Sequence, residues 1–193
     1  MAGNIIFRLS QRRAFKQLLS NSRQRLYRMA YAWTHDPYLA DDLVQQTLCK
    51  ALSKQKQLKD IATADAWLFR ILSNCLADYR RARREVSLDE NFVLVENRTP
   101  EHQTQEQQLV TKVRHAIGTL PLAQCQVVTL VDLEGFTYAT VAETLDMPVG
   151  TVMSRLCRGR KALRELLTDA RSDLPTERAA TVTRIKQFGD INS

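Results

Sequence analysis

The stretch from Leu120 to Leu167, LPLAQCQVVTLVDLEGFTYATVAETLDMPVGTVMSRLCRGRKALRELL, restricts the choice of folds more than any other. It divides into a short helix ending near Gly135, a second helix from about Thr137 to Leu145, a turn at Asp146 and Met147, and a long helix opening at Pro148. That order is a helix-turn-helix with its supporting helix. Pro148 suits a first turn, where its missing N–H has no helical partner to lose. Asp146 stands where the turn needs a left-handed residue, a conformation that its short polar side chain tolerates. Gly150 sacrifices about 1 kcal/mol of helix propensity, which implies close approach of another backbone or of a phosphate. Ala142 is small enough for a tight helix crossing.

The long helix has two chemically different sides. Val149, Val152, Leu156 and Leu163 fall at inward-facing spacing, and Thr151, Ser154, Arg155 and Arg158 form a separate stripe at i, i+3, i+4 and i+7. Short hydroxyls followed by arginines suit a helix that enters the DNA major groove and reaches guanine edges or phosphates. Arg160, Lys161 and Arg164 extend the positive charge, with no acid before Glu165. An ordinary three-helix bundle with a solvated basic face explains the charges alone, but not the turn, the small crossing residue and the stripe together.

A 193-residue chain that is 44% hydrophobic can bury one core or two small ones. A net charge of +7 and a pI near 9.5 favour a polyanionic partner, nucleic acid before membrane. Cys49, Cys75, Cys125 and Cys157 are dispersed, without a C-x-x-C pair or a histidine cluster. Reduced, mostly buried thiols in a cytoplasmic protein are the expectation, with no metal or other cofactor. The N-terminal apolar run is too short for a signal peptide, and no stretch reaches membrane-spanning length, so no direct membrane insertion is expected. There is no internal repeat.

The pattern before the helix-turn-helix is also helical. Ser10 to Trp33 carries an apolar side (Phe15, Leu18, Leu19, Leu26, Met29, Ala30, Trp33), with Arg12, Arg13, Lys16, Arg23, Arg25 and Arg28 read as a solvated face. Asp36-Pro37 is a helix start. In Ala40 to Leu52, Leu43, Val44, Thr47, Leu48 and Ala51 turn inward, leaving Asp41, Asp42, Gln45, Gln46, Cys49 and Lys50 outside. An acidic, amide-rich face repels phosphates; it is either plainly solvated or a protein-docking surface. A polar connection from Ser53 to Lys59 leads to Thr63–Arg84, where Leu68, Ile71, Leu72, Cys75, Leu76 and Tyr79 form a core stripe. Trp67, Arg70, Asn74, Asp78 and Arg81 line another side, and Arg80, Arg81, Arg83 and Arg84 end the helix. These groups either stack on and neutralise a nucleic acid strand or are a half-core tryptophan and a cationic helix end favoured by the macrodipole.

Glu85 to Glu106 carries six acids against Arg98 alone and lacks sustained periodicity, which reads as an acidic linker. Thr99-Pro100-Glu101 looks like a helix start leading to a stop at Gly118. The tail beyond Asp169 is polar and broken by Pro175. The expected fold is all-α, two small helical domains joined by a flexible acidic linker: 1–84, linker 85–105, a helix-turn-helix domain 106–170, and a tail 171–193.

The strings DPYLADDLVQQTLCKAL, DAWLFRILSNCLADYRRARR and LDMPVGTVMSRLCRGRKALREL, in this order and with a linker between the second and third, resemble the extracytoplasmic-function branch of the bacterial sigma-70 family. The resemblance covers roughly Arg12 to Leu167. It implies a dissociable promoter-recognition subunit of RNA polymerase and no catalytic step. The segment similar to region 2.2, with Asp41, Asp42, Leu43, Gln45 and Gln46, would dock on the clamp helices of core RNA polymerase. Trp67, Arg70, Asn74, Asp78, Arg80, Arg81 and Arg84 would open and read the minus-10 element of promoter DNA. Thr151, Ser154, Arg155, Arg158, Arg160 and Lys161 would contact the minus-35 element. The acidic linker would thread toward the active-site cleft and RNA exit channel. Such members are commonly restrained by an anti-sigma factor, often membrane-bound. Gln46 stands where the family usually has Glu, and Met153 where Lys is common, so docking strength and minus-35 preference are expected to differ. The competing expectation is a stand-alone helix-turn-helix regulator that binds duplex DNA without polymerase; a DNA-processing enzyme is disfavoured because no nucleophile-base pair, carboxylate cluster or phosphate-cradling loop is present.

Overall fold

In a computed structural model, which describes residues 2–58, 60–86 and 105–172, every regular element is helical. The helices are α1 (Ala2–Thr34), α2 (Pro37–Ser53), α3 (Ala64–Val86), α4 (Gln105–Gly118), α5 (Leu122–Val128), α6 (Tyr138–Leu145) and α7 (Val149–Ser172). Most of the acidic segment, the helix start at Thr99–Glu101 and the tail from residue 173 lie outside the described residues.

Local chemistry sets the helix ends. His35, in the left-handed region at φ 55°, ends α1, and the Asp36 carboxylate caps α2 by accepting from the N–H groups of Tyr38 and Leu39 at 2.9 and 3.0 Å. Thr137 caps α6 through the N–H of Thr140, and Asp146 closes it at φ 51°, the conformation expected of it. Pro148 lies one position before α7 and supplies the carbonyl for its first turn, accepting from Thr151 and Val152. Gly150 meets no atom within reach of an added Cβ, so the close approach expected there is not made inside the chain.

The core stripes of α1, α2 and α3 are buried as the periodicity predicts, with Leu18, Leu48 and Tyr79 only partly covered. In α7, Val152 and Leu156 are buried and Leu163 packs at the edge, but Val149 is exposed. It occupies the first helical position, ahead of the turn that packs on α6. Cys75 and Cys125 are buried; Cys49 and Cys157 are exposed, so half the thiols rather than most are covered.

Between α5 and α6 the chain makes a π-helical turn, Thr129–Leu133, with the Glu134 N–H donating to the Thr129 carbonyl at 3.1 Å. Around it α4 and α5 pack against α1, and α6 against α3, and one continuous apolar cluster runs through both halves. The reading of two modules on a linker did not anticipate that contact.

Candidate polymerase and nucleic-acid interfaces

The outer face of α2 follows from its two-sided pattern. Asp42, Gln45 and Gln46 are exposed and Asp41 half-exposed, and each amide donates to the acid one turn earlier: Gln45 to Asp41 at 2.7 Å, Gln46 to Asp42 at 2.8 Å. Arg23 of α1 reaches Asp41 at 3.3 Å. These pairs are exposed, so they are worth little to stability and are easily exchanged for a partner's groups. Leu43 is a correction. Its side chain is fully buried under α2 and is unavailable to a partner, because the residue that anchors the helix cannot also present itself outward.

On α3, Arg70, Asn74, Asp78 and Arg81 form one exposed row at helical spacing, and Arg80 and Arg84 extend the charge at the C-terminal end. Trp67 heads the row but is half-buried, its ring 6.4 Å from that of Phe15. Trp67 is therefore partly covered by the core and partly open to solvent. Asp78 is held between Lys50 of α2 at 3.3 Å and Arg81 at 3.9 Å, which offsets its charge in an otherwise cationic row.

On α7, Arg158 is exposed and lies back along the helix over Ser154, with Nη2 3.4 Å from the hydroxyl. Thr151 and Ser154 are half-exposed beside it. Arg155 is held instead by the turn, its Nη1 3.4 Å from the Met147 sulfur. Arg160 is engaged by Asp132 through two nitrogens, one at 3.1 Å. The hydrogen bond to Asp132 holds the guanidinium pKa above its ordinary value, so a phosphate would have to displace a carboxylate. Lys161 is free of such competition beyond a 4.0 Å contact with Glu165. An open cleft of about 390 Å³ between α6 and α7, lined by Tyr138, Met153, Leu156 and Cys157 with Arg160, Lys161 and Arg164, is part of this surface.

The profile of Sigma-70 region 2 matches residues 18–86 and that of Sigma-70, region 4 matches residues 111–163. The ECF RNA polymerase sigma factor EcfG of Rhodopseudomonas palustris is 36% identical over 129 residues, 66% of this chain and 71% of that protein. The chain belongs to the extracytoplasmic-function branch of the sigma-70 family. The ECF RNA polymerase sigma factor SigE of Mycolicibacterium smegmatis is 30% identical over 165 residues, 83% of this chain; the match spans 64% of SigE. Among solved structures, the sigma factor RpoE in complex with the anti-sigma factor NepR from Bartonella quintana superposes with a TM-score of 0.67 at 31% identity, covering 80% of this chain and 97% of that one. In sigma-70 terms, region 2 is carried by α1–α3, and region 4 by α4–α7, whose last two helices are the helix-turn-helix.

Sequence reading missed the residues that join the two regions. Phe69 of α3 is buried edge-on to Phe136, with centroids 5.7 Å apart. Arg25, read as part of a solvated face, donates to Asp65 at 2.8 Å and to Glu134 at 3.0 Å. Burial opposes its charge, but the hydrogen bonds to Glu134 and Asp65 outweigh it and hold its pKa above the ordinary value. The only signal in the sequence was an unassigned Phe at an inward-leaning position.

Proposed function

We propose that this chain is an alternative RNA polymerase sigma factor that docks on core RNA polymerase, reads the minus-35 and minus-10 promoter elements and directs initiation under the control of an anti-sigma factor. The observation that carries the reading is the presence of region 2 and region 4 in one chain and in family order. In this proposal Asp41, Asp42, Gln45 and Gln46 meet the polymerase; Trp67, Arg70, Asn74, Arg80, Arg81 and Arg84 hold the minus-10 strand, with Asp78 tuning that row. Thr151, Ser154, Arg155, Arg158 and Lys161 face the minus-35 element, with Arg160 joining once Asp132 lets it go.

Each module offers few phosphate and base contacts, so alone it binds weakly and with strong salt dependence. Mounted on one polymerase, the two act as a linked pair with a high effective concentration. Melting costs base stacking, which capture of unstacked bases by aromatic and amide groups on α3 offsets. The chain supplies recognition and carries no chemical step. It acts where the polymerase is, in the cytoplasm; no helix among the described residues is long and apolar enough to cross a membrane. A likeness to RpoE, solved with the anti-sigma factor NepR, supports a protein inhibitor.

Reconstituted transcription tests the proposal: purified chain with bacterial core RNA polymerase on a library of promoter fragments, against core enzyme alone. Specific initiation is expected, and Arg158→Ala should weaken minus-35-dependent initiation by about 1–3 kcal/mol of recognition energy while co-elution with core enzyme is unchanged. Tight duplex binding with no co-elution and no initiation would move the assignment to a stand-alone regulator.

A further inference from the structure

The outward face of α7 is divided, and only part of it is polar. Val149, Met153 and Cys157, each one helical turn beyond the last, are exposed, Val149 to 42% and Met153 to 53%, while Val152 and Leu156 beside them are buried. Neither Val149 nor Met153 belongs to the apolar core cluster. An apolar row left in water on a helix that meets DNA does nothing for the fold of its own domain, so it is available to the partner.

Gly150 completes the site. Its surface neighbours one turn on are Met153 at i+3 and Ser154 at i+4, and a Cβ built on it would meet nothing within 4 Å. The glycine thus leaves a notch in the first turn of α7, flanked by a thioether and a hydroxyl. The hydroxyl is engaged within the helix: Ser154 Oγ donates to the Thr151 carbonyl at 3.0 Å and accepts from Arg158 Nη2 at 3.4 Å. The apolar side of the notch is the side left for a ligand. Arg158 and Lys161, both exposed, supply the positive charge that holds a phosphate backbone alongside.

Phosphates and the polar edges of bases gain little from a thioether. On an unmodified base pair the apolar group displayed in the major groove is the C5-methyl of thymine. We propose that Met153, with Val149 at its side and Gly150 giving access, packs on a thymine methyl of the minus-35 element, so that this chain selects thymine at that position by apolar contact rather than by hydrogen bonding. The proposal rests on the sigma-factor reading and names what one part of the recognition helix reads. Methionine suits the task, because its unbranched, polarizable side chain adapts to a small apolar target.

The test removes the methyl alone. On a promoter fragment recovered by reconstituted initiation, each thymine of the minus-35 element is replaced in turn by deoxyuridine, and binding of the chain together with core polymerase is measured. One replacement should weaken the wild-type complex about fourfold, the worth of one buried methyl group. Met153→Ala, a change at an exposed position, should bind the thymine and uracil templates equally. Gly150→Ala fills the notch without meeting any atom of the chain and is favoured by helix propensity; it should stay folded, bind the thymine template more weakly than wild type and lose the preference. A wild-type complex indifferent to every replacement, a preference that survives in Met153→Ala, or a minus-35 element without thymine overturns the proposal, while specific initiation leaves the sigma reading standing. Where the chain neither initiates nor co-elutes with core, the sigma reading fails instead, and the same replacements in duplex bound by the chain alone decide the thymine contact.

Discussion

At the scale of single residues, Thr144 is the exception in an otherwise satisfied interior. Its hydroxyl in α6 is buried without a hydrogen-bond partner, alone in that respect among the described residues. An unpaired buried hydroxyl forfeits its hydration with no return, and replacing it by a methyl of the same shape removes that penalty. Thr144→Val should therefore raise unfolding free energy by about 1 kcal/mol, read as a higher urea midpoint at unchanged slope. A lower midpoint would mean that the hydroxyl finds a partner in solution. Single-residue features were legible in the sequence where their cause is local. The cap at Asp36 and the left-handed Asp146 are set by immediate neighbours and were expected. Arg25 was not, because its partners lie 40 and 109 residues away and nothing in a run of surface arginines marks the one that turns inward.

Helices were legible as elements because apolar periodicity is itself their cause, and α2, α3, α6 and α7 fall close to where it predicts. The exposed faces follow from the same periodicity, since knowing the buried stripe defines the rest, whereas the DNA and polymerase roles proposed for them come from the family resemblance; Val149 and Leu43 show the limits of the rule at a helix start and at a residue given two duties. The spacing between helices is less readable. Gly159, unremarked in the sequence, lies buried where α7 crosses α5, and a Cβ there would fall 2.6 Å from a methyl of Val128 and 3.5 Å from Gln124 Cβ. Val128 is buried and stiff at χ1, so it cannot step aside cheaply. Gly159→Ala gains about 1 kcal/mol of helix propensity and loses about 1–3 kcal/mol to overpacking. The sub-contact distance places the loss toward the upper end, and the melting temperature should drop by about 2–8 °C. A variant as stable as the parent would show that α5 and α7 can separate slightly at no cost.

For the whole molecule, the order of the modules was legible and their mutual packing was not, since a linker read from charge and composition says nothing about where its ends come to rest. Cys125 reports on that packing. Its thiol is buried at the junction and donates to Ala32, and burial pushes its pKa up to about 12. A thiol with a raised pKa holds its proton more firmly in the folded chain than in the unfolded one. Its contribution is thus complete below the unfolded value of 9.0 and declines as pH rises toward about 12. By one unit above the unfolded value the accumulated loss is about 1.4 kcal/mol. Cys125→Ser keeps a donor for Ala32 and removes the ionisation, so the stability difference between parent and variant should shrink by about that amount between pH 8 and pH 10. Urea unfolding of both proteins at the two pH values measures it, with the other titrating groups common to both and cancelling. A difference independent of pH would mean that Cys125 is already solvated in the folded chain, and therefore that the junction between region 2 and region 4 stands open in solution.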